Sequence, residues 1–118
     1  MISVLTSTYN RSYTLPRLFE SLCNQGYKHF EWVVVDGGST DDSLALLAEF
    51  KEFASFPVRV IHKPKSGKNG AINAGVLAAT GDWVFIVDSD DALTPDAIAT
   101  IEEKLRQFNS DKMVGLCF

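Results

Sequence analysis

WVFIVDSDDALTP, residues 83 to 95, runs from an apolar stretch of strand character straight into three carboxylates, Asp88, Asp90 and Asp91, within four positions. Bunched carboxylates repel one another and are costly to hold together unless a cation sits among them. Asp88 and Asp90 stand two apart where a strand is ending, so they share one side, and Asp91 begins the turn. Oxygen-only ligands of this kind suit a hard divalent ion, Mg²⁺ or Mn²⁺. Mg²⁺ typically takes about one or two protein carboxylates and completes its shell with water and substrate phosphate. The acids therefore imply a metal, and the metal a phosphorylated ligand. The plainer reading is a solvated turn in which Asp91 or Asp96 favours the start of the next helix.

Outward from this stretch the pattern repeats. ISVLTS (2 to 7), FEWVVVD (30 to 36), VRVIH (58 to 62) and MVGLCF (113 to 118) join WVFIVD (83 to 88) as strand-like runs. Between them lie helical stripes. Leu15, Leu18, Phe19, Leu22 and Cys23 form one; a helix around 44 to 53 follows GGSTDD, where Ser39 and Asp42 have capping-box spacing. A small-residue helix carries Ile72, Gly75, Val76 and Ala79 on one face. The last helix has Thr94 as its expected N-cap, Pro95 at its first position and Ile98, Ile101, Leu105 and Phe108 on one side. Strands that alternate with helices and read as continuous apolar runs predict an α/β fold, a doubly wound, mostly parallel sheet with helices on both faces. Ligands of such sheets bind beyond the carboxyl ends of the strands, where strand order reverses. STYNR, DGGSTDD, HKPKSGKNG and DSDD all fall at that edge.

Composition narrows the classes. The 118 residues, 46% hydrophobic and 22% charged, make one globular domain. No apolar run approaches the roughly 20 residues of a membrane-spanning helix, and ISVL lacks the flanks of a signal peptide. The expected location is the cytoplasm, with peripheral association at the cytoplasmic membrane face compatible with it. Cys23 and Cys117 lack metal-ligand spacing and read as core thiols. A net charge of −4 argues against nucleic acid as a partner. There is no GxGxxG after the first strand, and the GK of SGKNG lacks the spacing of a P-loop. Lys63, Lys65 and Lys68 are candidates to meet an anion, although a loop with Pro64, Gly67 and Gly70 is more often simply solvated. Tyr9, just past the first strand, offers a ring to a flat base or a cover to the core. His29 and His62 are given no role.

STYNR, VVVDGGSTDDS, GAINAGVLAATGDW and VDSDD, in this order and spacing, resemble the family 2 glycosyltransferases of GT-A fold. The resemblance covers essentially all of residues 1–118 and implies the Rossmann-like nucleotide-sugar-binding domain of such an enzyme, expected to be truncated before the acceptor half. It implies a nucleoside-diphosphate sugar donor, a saccharide or lipid-linked acceptor, inversion, and a role in polysaccharide or cell-envelope synthesis, with homo-oligomer formation open. Carried onto this chain, Thr8, Tyr9 and Asp36 would hold the nucleoside, and Asp88 with Ser89 the ribose or sugar. Asp90 and Asp91 would hold Mg²⁺ or Mn²⁺, and Lys68 and Asn73 would face the donor. Two departures stand out. Gly37 replaces an acid that often partners the base, and Ile72 replaces an arginine. No residue stands out as the general base. Rivals from other classes are a nucleotide-binding fragment without activity and a receiver-type Mg²⁺-binding domain. The receiver would need an acid pair where this chain has TYN.

Overall fold

A computed structural model of the chain describes residues 1–65, 67–106 and, for the backbone, 115–117. The strands are β1 (Ile2–Thr8), β2 (Phe30–Asp36), β3 (Val58–His62), β4 (Trp83–Ile86) and β5 (Gly115–Cys117). The helices are α1 (Leu15–Cys23), α2 (Ser43–Phe53), α3 (Gly67–Ala78) and α4 (Ala97–Arg106). Each pairing is parallel, and the order is β3-β2-β1-β4-β5. The α/β reading is correct. The expected residues Phe108, Met113, Val114 and Phe118 lie outside the described part, as does the side chain of Cys117.

Strand alternation sorts the core into two layers. Ile2, Val4, Phe30, Trp32, Val34, Val58, Phe85 and Val87 face α1, α2 and α4, whose Leu18, Leu47 and Ile98 are buried among them. Leu5, Val33, Val35 and Val84 face α3. This second layer is thin because α3 lies close to the sheet: a Cβ at Gly75 would stand 2.1 Å from Leu5 Cδ1. The buried line of α3 is Ala71 and Gly75, flanked by Ile72, Ala74 and Ala79, whereas Val76 is turned outward. Helix rotation accounts for that correction: the close approach at Gly75 points the neighbouring Cβ away from the sheet.

Helix starts also differ from expectation. α2 begins after Asp42 with no side-chain cap bond, because Ser39 is engaged elsewhere. α4 begins at Ala97 rather than Pro95. Its cap comes from the residue just past the C-cap of α1: buried Gln25 accepts from the Ile98 amide at 3.1 Å and donates to the Thr94 and Ser21 carbonyls at 2.7 and 3.0 Å. One side chain thus joins the end of one helix to the start of another. At the amino edge of the sheet Glu31 is buried. It accepts from Ser3 Oγ at 2.5 Å, from the Thr80 amide at 2.7 Å and from Thr80 Oγ1 at 3.0 Å, with Arg59 at 3.8 Å. Burial pushes its carboxyl up, but these hydrogen bonds outweigh burial and hold it below its ordinary range.

Gln25→Ala should cost about 1 to 3 kcal/mol, since it strips a buried amide and two carbonyls of their partner. Denaturant unfolding measures it, and a loss under a few tenths would mean that water replaces the cap. Because the folded pKa of Glu31 is depressed, its stabilisation is present above the unfolded value of about 4.3 and is lost as pH falls through the folded one. Glu31→Gln should therefore lower the melting temperature at neutral pH and flatten its decline in acid; an acid limb parallel to wild type would remove Glu31 from the account.

Candidate functional site

Strand order reverses between β1 and β4. Their carboxyl ends, with the start of α3, enclose a cleft of about 530 Å³. Thr8, Tyr9, Lys68, Asp88, Ser89 and Asp90 line it, so most of the sequence candidates meet at one place. Tyr9 is 57% exposed and therefore is not a core aromatic. Thr8 is buried and its Oγ1 has no hydrogen-bond partner among the described residues. A buried hydroxyl without a partner costs about 1 to 3 kcal/mol.

Asp36 is not among the residues that line the cleft, although its neighbour Gly37 is. It is fully buried, and Oδ2 accepts from the amides of Gly38 and Ser39 at 3.0 and 2.9 Å while Oδ1 accepts from Ser39 Oγ. His62, for which the sequence suggested no role, sits with Nδ1 3.4 Å from Oδ2. Asp36 thus holds the turn after β2 and does not line the cleft. Asn10 completes that turn: at φ 51° its Oδ1 accepts from the amides of Thr40 and Asp41 at 2.7 and 3.2 Å, and its own amide donates to Ser39 Oγ at 2.8 Å. Hydrogen bonding from Ser43 first, and then from Ser12, keeps the Asp41 carboxyl well below the ordinary range. A Cβ at Gly38 would stand 3.4 Å from Pro64, and at φ +100° this residue needs to be glycine. Gly37 does not. It lines the cleft, and a Cβ there would meet only Thr8 O at 3.6 Å and Tyr9 at 3.8 Å, so the place of the missing acid is open space beside Tyr9.

The acids follow β4 directly. Asp88, Asp90 and Asp91 each offer an oxygen, all within 4.8 Å of one another. Oxygens this close could share one ion, and the all-oxygen donor set fits a hard divalent cation. Asp91 does not line the main cleft; it borders a smaller depression with Phe85 and Leu93. Lys68, on the first turn of α3, reaches across to Asp88 Oδ1 at 3.2 Å. Lys63 and Lys65 are exposed and outside the cleft. Asn73 is also exposed and outside it, because it lies about 200° around the helix from Ala71, which does line the cleft. The sequence reading missed Arg11, which lines the cleft and donates to Tyr13 Oη at 2.5 Å. Its signal was there in STYNR, a cation directly after the first strand.

The Glycosyl transferase family 2 model matches residues 3–117. A β-1,3-glucosyltransferase of Campylobacter jejuni named for GalNAc(5)-diNAcBac-PP-undecaprenol is 31% identical over 107 residues, 90% of this chain and 35% of its own. Chondroitin synthase of Escherichia coli is 35% identical over 91% of this chain and 16% of its own. The chain spans between 16% and 38% of the length of the first three curated relatives it matches. Among solved structures, S. aureus TarS with UDP superposes with a TM-score of 0.83 at 28% identity, over 90% of this chain and 32% of that one. A Pyrobaculum calidifontis mannosyltransferase with GDP-Man and Mn²⁺ gives 0.82 at 27%, over 88% and 32%. By the family match across nearly all of its length and by its GT-A fold, the chain belongs to glycosyl transferase family 2.

Proposed function

We propose that this chain is the donor-binding part of a metal-dependent, inverting glycosyltransferase that moves a sugar from a nucleoside-diphosphate sugar to a saccharide or lipid-linked acceptor. The observation that carries the reading is one cleft, at the reversal of strand order, lined both by the exposed ring of Tyr9 and by Asp88 and Asp90 after β4. Neighbours in fold hold UDP, UDP-GlcNAc, or GDP-Man with Mn²⁺. Tyr9 stacks on the base, and Thr8, at the end of β1, borders the nucleoside. Asp88 and Ser89 orient the ribose or sugar, and Arg11 and Lys68 meet the diphosphate. Asp36 acts through the turn that it fixes rather than by contact. Asp90 and Asp91 would hold Mg²⁺ or Mn²⁺. Such an ion supplies Lewis-acid stabilisation of the charge that grows on a leaving diphosphate. The general base, which must reach the acceptor hydroxyl, is assigned to no residue of this segment.

Names among the relatives support the acceptor class: one acts on an undecaprenol-linked substrate and another is a chondroitin synthase. Polysaccharide or cell-envelope synthesis at the cytoplasmic face of a membrane is the corresponding setting. No helix among the described residues is long and apolar enough to cross a membrane. The family match leaves the receiver-type alternative without support.

Asp90→Asn should abolish the gain in nucleoside-diphosphate affinity that Mn²⁺ brings over chelator; calorimetry showing the same gain in both proteins would leave the acids as strand and turn residues only. Tyr9→Ala should weaken nucleotide binding by about the 1 to 3 kcal/mol of base stacking while the melting temperature of the free protein holds. The opposite result, lost stability with binding intact, would return Tyr9 to a packing role.

A further inference from the structure

Lys68 is placed where helix electrostatics disfavour it. It stands on the first turn of α3, at the positive end of the helix dipole, and no acidic residue shares that turn. Its ammonium lies 3.2 Å from Asp88 Oδ1, and Asp88 is one of the three clustered acids. Both side chains are largely open to solvent, 63% and 48% exposed, so the pair adds little to stability. The cleft's other cation, Arg11, is occupied with Tyr13 through a hydrogen bond and a ring contact at 5.9 Å. Among the described residues, then, Lys68 is the cation seated on the acids.

Resting on the donor-site reading, the geometry points to Lys68 as a built-in stand-in cation that couples metal binding to diphosphate binding. In the free protein its ammonium neutralises Asp88 and repels a divalent ion approaching Asp90 and Asp91, so metal alone binds weakly. A diphosphate entering the cleft draws the flexible lysine off Asp88 onto its own oxygens. That frees the carboxylate and removes the repulsion in one movement. Metal and nucleotide each then favour the arrangement that the other needs, which is a coupling free energy and is reciprocal. The acids are spared the mutual repulsion of an empty cluster without being committed to metal when no donor is present.

The test is a sign reversal. Mn²⁺ binding without nucleotide, read from the free-ion signal by electron paramagnetic resonance, should be about three- to tenfold tighter in Lys68→Gln than in wild type. Binding of UDP or GDP in saturating Mn²⁺, read by calorimetry, should be about tenfold or more weaker. Lys68→Arg should keep the wild-type order of both, and thermal melts establish that each variant is folded. A lysine that merely ties α3 to the strand end would move neither quantity. If wild type binds Mn²⁺ with UDP or GDP but Lys68→Gln leaves Mn²⁺-alone affinity equal or lower, the coupling role is overturned and the donor site stands. If wild type binds neither nucleotide with metal, the donor-site reading fails and takes the coupling role with it.

Discussion

A run of backbone amides with no secondary structure of its own governs the carboxyl edge of this sheet. Between β2 and α2 the amides of Gly38, Ser39, Thr40, Asp41 and Ser43 all need acceptors. Three side chains supply them: Asp36 takes the first two, Asn10 the next two and Asp41 the last. Asn10 belongs to the loop after β1, and Asp41 also accepts from the Ser12 amide at 3.1 Å. Satisfying one turn therefore locks two loops together. Tyr9, one residue before Asn10, is held at the cleft as a consequence, with Gly37 beside it. Where these amides are buried, one left unpaired would cost about 1 to 3 kcal/mol.

Such pairing separates what was legible in the sequence from what was not. Strand runs and helix stripes are local patterns, and residues 30 to 36 and 58 to 62 fold as the pattern indicates. The cleft could be located because α/β topology sends every loop of one kind to one edge, and Thr8, Tyr9, Lys68, Asp88, Ser89 and Asp90 meet there. An acid after a strand, however, has the same spacing whether it serves a ligand or a turn. Asp36 and Asp88 look alike in sequence, and only the fully buried, three-donor environment of Asp36 tells them apart. Capping failed for a related reason. Ser39 and Asp42 have the right spacing, but Ser39 is claimed by Asp36 and Asn10, and the cap of α4 comes from Gln25, some seventy positions away. Local rules do not see such partners. Val76 was misjudged, and Asn73 stands outside the cleft, because the rotation of α3 is set by the clearance between Gly75 and Leu5, a tertiary distance.

Electrostatics divides the molecule into two edges with different tasks. At the amino edge the buried Glu31 is fully committed to Ser3 and Thr80, and its charge is spent on holding β1, β2 and the approach to β4 in register. At the carboxyl edge Asp88, Asp90 and Asp91 are in reach of solvent and carry one lysine between them. Acids that fix a fold are buried and saturated with donors; acids that await a ligand keep open lone pairs.

The strand order has a consequence for the growing chain. β1 lies in the middle of the finished sheet, yet its second neighbour, β4, is some eighty residues away in sequence. While a ribosome has delivered only the first three strands, β1 is an outer strand with a bare row of amides and carbonyls, and the Glu31 carboxylate lacks its Thr80 partner. At about 5 to 20 residues per second, that open edge persists for seconds, long enough for another nascent chain to pair with it. Only when Trp83–Ile86 pairs with it does that edge of β1 close.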